Sequence, residues 1–180
     1  MKNSLLLMVI AALAPALALS ATDQPPPLDE VLARDFEVVT LEGERIPFSD
    51  LVGADVPVVV DFWATWCSPC RKLIPHMVKL RESNSEDRLR IVGLTIEDPD
   101  EDVEKVKRFA EELGINYTIA FAPAELFRFM NRREKLGVPK VLIFDVDGRV
   151  VKHITSYSFL TRRRISSAVS SAMKTLESAE

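Results

Sequence analysis

Cysteine is nearly absent from this chain. Only Cys67 and Cys70 occur in 180 residues, both within DFWATWCSPCRKLIP, residues 61–75. Two are too few for a disulfide scaffold, and closing a loop with two residues between its ends removes little chain entropy, so the pair makes a poor staple. Histidine is as scarce: a closed zinc site would need both cysteines together with His76 and His153. Those histidines lack the short spacing of a zinc-finger pair, so each reads as an ordinary surface or boundary residue and no metal is expected. The six glycines build neither a Gly-rich phosphate loop nor a Gly-X-Ser-X-Gly elbow. Asp145-Val146-Asp147-Gly148 opens like a calcium loop, but its twelfth position is Ser156, not an acid, which leaves a hairpin turn.

An excess of positive charge is missing too. The 23 Lys and Arg residues are outnumbered by 27 Asp and Glu, a net charge of −4, so the chain exerts no global attraction on nucleic acid. The charge is uneven, however. Residues 97–112 hold eight acids against three bases, and 128–164 ten bases against three acids, including Arg132-Arg133 and Arg162-Arg163-Arg164. Such runs are ordinarily solvated faces; the functional alternative is a basic flank that steers an acidic partner. Long apolar runs are also lacking. Leu5–Leu19 is interrupted by Pro15 and falls short of the ~20 residues that span a bilayer.

What remains is organised simply. Lys2, the apolar run and the small residues Ala18, Ser20 and Ala21 have the layout of an export signal over residues 1–20. An uncleaved membrane tether through residues 5–19 is the alternative, and the absence of a nearby cysteine excludes a lipid anchor. Residues 21–33, with three consecutive prolines, read as an extended linker. Residues 34–178 form the single domain, long enough to bury a core without disulfide support.

Within that domain a small hairpin turning at Glu42-Gly43 precedes VPVVVDFW at 56–63, the pattern of a central strand covered on both faces. A helix follows from the cysteines, with Leu73, Met77 and Leu80 at helical spacing and Pro75 kinking rather than ending it. Next come a strand at 90–96 and a helix capped by Asp98, with Pro99 at its first position and an apolar face of Val103, Val106, Ala110 and Leu113 ending at Gly114. A strand at 115–121, a helix at 123–136 closed by Gly137, and a hairpin of 140–146 and 149–155 with a two-residue Asp147-Gly148 turn lead to a last helix. That helix points Ile165, Ala168, Val169, Ala172 and Leu176 inward. The order, a hairpin and then βαβαβαββα, is an α/β sheet with helices on both faces.

This arrangement puts Cys67 at a helix amino end, where unpaired N–H groups and the helix dipole favour negative charge. In Cys-X-X-Cys settings the thiol pKa falls from about 8.5 to about 7 or below. Cys67 is therefore the candidate nucleophile, and Cys70, one turn on and more buried, the resolving thiol. Outside the cytosol an idle pair would oxidise and stay oxidised, so a working one implies a partner that resets it.

VVVDFWATWCSPCRKLIP resembles the active-site strand, turn and helix of the thioredoxin superfamily. Together with the upstream FEVVTLEGERIPFSDLVG, the export signal and the additional strand and helix at about 90–113, it is similar to the exported TlpA/ResA-like branch. The resemblance implies a thioredoxin fold with an N-terminal β-hairpin extension and an extra central strand–helix, a mixed sheet with helices on both faces. It implies a periplasmic thiol–disulfide oxidoreductase, expected as a monomer, that needs no cofactor beyond a redox-active Cys67–Cys70 disulfide. Protein disulfides would be its substrates and a membrane thiol-reductase its electron donor. Cytochrome c or copper-protein maturation is the implied setting.

Asp61 matches the family's buried carboxylate, a proton acceptor for Cys70; Glu97 is the alternative acid, as some members of the branch carry theirs on the next strand. Gly137-Val138-Pro139 matches the loop that holds a cis proline facing the cysteines. The backbone of Val138 would then pair with an extended substrate, and Trp66 would supply an apolar rim. Lys140 stands where the family usually has Thr. Two other functions use the same thiols: a disulfide oxidase or isomerase, recognised by a reduction potential well above about −150 mV, and a non-catalytic copper or metal carrier, recognised by metal analysis of the reduced protein.

Overall fold

In the computed structural model, residues 24–53, 55–131 and 135–177 are described, without the side chains of 175–177. The export signal, Arg132, Arg133 and the Leu176 side chain lie outside them. In chain order the elements are α1 (Leu28–Leu32), β1 (Glu37–Thr40), β2 (Arg45–Pro47), α2 (Phe48–Val52), β3 (Val58–Trp63), α3 (Ser68–Ser83) and β4 (Arg90–Thr95). There follow α4 (Val103–Leu113), β5 (Thr118–Phe121), α5 (Ala124–Met130), β6 (Lys140–Phe144), β7 (Val150–Ile154) and α6 (Thr161–Glu177).

The strands form one seven-stranded mixed sheet in the order β2-β1-β5-β4-β3-β6-β7. β3 runs parallel to β4 and β4 to β5, while β6 is antiparallel to β3 and β7 to β6. Every residue of β3 is buried, as a nearly continuous β-branched and aromatic strand between two layers of helix requires. Its alternate side chains enter different cores. Val58, Val60 and Phe62 pack with Leu28, Val31, Phe48, Leu126 and Phe127. Val59 packs with Leu73, Met77, Ile165 and Val169 on the opposite face, and Trp63 continues that face among Cys67, Cys70, Val106 and Phe109. The N-terminal hairpin joins the sheet through β1 and β5, and the strand–helix pair β4–α4 lies at the middle of the chain and beside β3, so the thioredoxin-like α/β architecture is present.

Several elements differ from the sequence reading. Part of the expected linker is structured: α1 buries Leu28 and Val31, and Leu28 N–H bonds to Gly148 O at 2.7 Å, because its apolar pair finds a tertiary partner that composition cannot reveal. α2 was not expected. Asp98 caps a turn rather than a helix, its Oδ1 accepting from Asp100 N–H at 2.8 Å, and α4 begins only at Val103. α5 stops at Met130 rather than at 136. Buried Asn131 leaves helical geometry at φ −112° and ψ 39°, with both its backbone N–H, at 3.2 Å, and its side-chain amide, at 2.8 Å, donating to Phe127 O.

The β6–β7 connection is a three-residue loop, with Asp145 N–H bonded to Arg149 O at 3.0 Å and Gly148 N–H to Asp145 O at 2.9 Å. Gly148 takes φ 74°, the left-handed position such loops require. α3 runs without interruption through Pro75.

Candidate active site

β3 ends at Trp63, and the chain turns through Ala64, Thr65 and Trp66 before Cys67 caps α3. The turn is held by Cys67 N–H to Ala64 O at 3.0 Å. Cys67 and Cys70 are joined in a disulfide with Cα atoms 5.2 Å apart. Cys70 N–H donates to Cys67 Sγ at 3.2 Å, and Pro69 stands in the first turn, where the missing N–H costs nothing. A thiolate at Cys67 would receive that same N–H bond together with the helix dipole, the two influences that lower a thiol pKa. Both cysteines are well covered, Cys67 at 3% exposure and Cys70 at 1%. Trp66, immediately before Cys67 in the chain, is 65% exposed. Val138 packs against the cluster that contains both cysteines, and the Val138–Pro139 peptide bond is cis.

Asp61 lies in the middle of β3, opposite Gly93 of β4 and Val141 of β6. It is 1% exposed, and neither carboxylate oxygen has a hydrogen-bond partner. Burial without compensation disfavours the anion and raises its pKa from 3.8 to about 7. Trp63 Nε1 and the Tyr117 hydroxyl are likewise buried and unpartnered. Burial, and then the charge of Asp61, push the Tyr117 phenol well above its usual range. Gly93 makes room for this group: a Cβ there would sit 2.8 Å from Tyr117 Cε2 and 2.9 Å from Trp63 Nε1. A glycine inside a strand is the sequence signal for such a close approach.

Glu97 is built differently. Its carboxylate accepts from Thr65 N–H at 2.8 Å, Thr65 Oγ1–H at 2.5 Å, Thr95 Oγ1–H at 3.1 Å and Lys105 Nζ at 2.6 Å. Burial alone would raise its pKa, but these bonds from Lys105, Thr65 and Thr95 outweigh it and hold the carboxyl below the usual range. The two candidate acids thus separate: Asp61 is poised near neutrality, and Glu97 is a fixed anion tying the active-site turn to β4 and α4. Nothing in the sequence spacing linked Glu97 to Thr65, 32 positions away.

A stack completes the wall beside the turn. Trp63 lies on Phe109 at 5.1 Å between centroids and 14° between planes, and the Arg71 guanidinium covers Phe109 at 4.5 Å. The histidines are engaged elsewhere, His76 Nε2 with Ser166 Oγ at 3.2 Å and His153 Nε2 with Asn131 Oδ1 at 3.2 Å. Among the described residues no three His, Cys, Asp or Glu side chains gather as metal ligands, and no helix is long and apolar enough to cross a membrane.

Residues 31–153 match the AhpC/TSA family. Over 122 residues the chain is 33% identical to the thiol-disulfide oxidoreductase ResA of Bacillus thuringiensis (strain Al Hakam), covering 68% of this chain and 66% of that one, just under two thirds of the relative's length. ResA of Geobacillus thermodenitrificans (strain NG80-2) is 29% identical over 156 residues, covering 86% of each chain. Among solved structures, a thiol:disulfide interchange protein of the thioredoxin family from Chlorobium tepidum TLS superposes with a TM-score of 0.65 at 26% identity. It covers 85% of this chain and 98% of that one.

Proposed function

The chain belongs to the AhpC/TSA family and is a ResA-like member of the thioredoxin superfamily, and from that premise we propose that it is a thiol–disulfide oxidoreductase that reduces protein disulfides. The observation that carries the reading is the Cys67–Cys70 pair itself, its first sulfur at the amino end of α3 and hydrogen-bonded to Cys70 N–H.

In the reduced protein the Cys67 thiolate attacks one sulfur of a substrate disulfide. A Cys67–substrate S–S bond forms, the substrate S–S bond breaks, and one substrate thiolate leaves. Cys70 then gives up its proton, and its thiolate attacks the Cys67 sulfur, expelling the second substrate thiolate. Two electrons pass to the substrate and the protein is left as the Cys67–Cys70 disulfide, which a dithiol donor must reduce. Asp61 is the acceptor for the Cys70 proton, since a carboxyl with a pKa of about 7 can both take and return a proton near neutral pH. Glu97, already saturated with donors, holds the turn. Val138 and Trp66 border the substrate segment, the first through its backbone and the second through its ring.

The signal-like residues 1–20 and the likeness to ResA support the setting we propose. The protein is exported, works in the periplasm or tethered to the membrane through residues 5–19, and acts as a monomer without a cofactor. It draws electrons from a membrane thiol-reductase and serves cytochrome c or copper-protein thiols. The test is insulin reduction driven by dithiothreitol, paired with the reduction potential. Wild type accelerates precipitation and Cys67→Ser does not; activity that survives in Cys67→Ser contradicts the assignment, and a potential well above about −150 mV reassigns the protein as an oxidase.

A further inference from the structure

Beside the disulfide lies a surface pocket of about 320 Å³ lined by Thr65, Trp66, Arg71, Lys105, Arg108, Phe109 and Glu112. Two of its lining residues, Thr65 and Trp66, belong to the turn that leads into Cys67, and Phe109 shares a cluster with both cysteines, so the pocket adjoins the active-site turn. Its lining carries three cations and one acid although the surrounding stretch 97–112 is strongly acidic. Two of the cations are committed. Arg71 pairs with Glu112 at 2.8 Å, and Lys105 with Glu97 at 2.6 Å and Asp102 at 3.3 Å. Arg108 is exposed and, among the described residues, makes no ion pair.

Resting on the reductase reading above, we propose that this pocket is a substrate subsite that accepts an acidic side chain next to the target cysteine, with Arg108 as the recognising charge. An extended segment paired to the Val138 backbone crosses Cys67 and passes over Trp66, which places a neighbouring residue at the pocket mouth. The aromatic walls of Trp66 and Phe109 cover the aliphatic part of a Glu or Asp side chain. The guanidinium of Arg108 offers the planar donor geometry that a carboxylate fits. Arg71 and Lys105, already neutralised, hold the walls in place rather than compete for the ligand. Specificity of this kind shows in association rate and salt dependence.

The experiment uses the full chain and three synthetic peptide disulfides that differ only in carrying Glu, Gln or Lys beside the target cysteine. Their reduction is followed as kcat/KM at low and high salt. We expect the Glu peptide to exceed the Lys peptide by roughly threefold or more at low salt, as an exposed but oriented charge pair allows. Salt should narrow the gap, and Arg108→Glu should reverse the order. Arg45→Glu, exposed on the edge strand β2 and outside both charged stretches, is the charge-matched control and keeps the wild-type ratio. Turnover of all three peptides at one rate, or an unchanged ratio in Arg108→Glu, overturns the subsite and leaves the reductase reading standing. Failure of a folded protein to reduce any of the peptides overturns both.

Discussion

Thr65 is bonded twice to Glu97: its backbone N–H reaches one carboxylate oxygen at 2.8 Å and its hydroxyl the other at 2.5 Å. Two residues before Cys67, the turn that presents the sulfur is thereby tied to the end of β4, and through Lys105 at 2.6 Å to α4. The anchor is a buried anion whose charge is met by Lys105 and by oriented donors, an arrangement that is costly to break because each donor would be left unpaired.

Replacing Glu97 should therefore act on structure before chemistry. Glu97→Ala removes charge-assisted bonds worth about 1.5–3 kcal/mol each at most, and the expected net loss in urea denaturation is about 2–4 kcal/mol. Glu97→Gln retains an acceptor and should lose less. In both variants the pH profile of mixed-disulfide resolution should keep its inflection. A profile that loses its inflection in Glu97→Gln, with stability unchanged, would make Glu97 the proton acceptor instead.

Asp61 gives a pH-dependent prediction with a definite sign. Its folded-state pKa, about 7, lies above the ordinary 3.8, so between these values the native state binds more protons than the unfolded one. Stability then falls as pH rises, by up to about 1.4 kcal/mol per unit. The contribution is fully present below pH ~4 and lost once pH passes ~7. Asp61→Asn cannot ionise. Whatever its offset at pH 4, its stability relative to wild type should climb by a few kcal/mol toward pH 8. Chemical denaturation at several pH values measures this, and a difference that stays flat with pH contradicts the buried, uncompensated carboxyl.

The same variant should slow the release of substrate from the mixed disulfide by about 10²-fold or more, the usual range for a positioned acid or base. The first attack, which needs only the Cys67 thiolate, should be much less affected. Stopped-flow kinetics separates the two steps. Equal slowing of both would remove Asp61 from the proton transfer.

Much of this was legible in the sequence where the signal is local. The buried strand at Val58–Trp63, the cysteines at the head of a helix, Gly114 as a left-handed stop (φ 61°) and the Val138–Pro139 loop all follow from short patterns or from the family resemblance. What escaped depends on distant partners. Leu28 and Val31 look like linker residues until the core supplies their neighbours. Asn131 looks like one more helical residue until its amide bonds back to Phe127. The role of Glu97 is set by Thr65 and Lys105, and the aromatic cluster around Asp61 by Gly93 and Tyr117, none of which any spacing rule connects.

Gly93 tests that cluster directly. A methyl group at this position would meet Tyr117 at 2.8 Å and Trp63 at 2.9 Å, both inside the packed interior, so Gly93→Ala should cost about 1–3 kcal/mol as an overpacked core substitution. The urea midpoint reports it. An unchanged midpoint would mean that the rings do not press against the strand as described.

In reduced Cys70→Ser, the alkylation rate of Cys67 by iodoacetamide against pH reads the ionisation of the one sulfur on which the mechanism turns. Capped at the head of α3 and facing the amide of residue 70, Cys67 should titrate well below the ordinary 8.5, near 7 or lower. A midpoint at or above about 8.5 would contradict the proposal that Cys67 is the attacking thiolate.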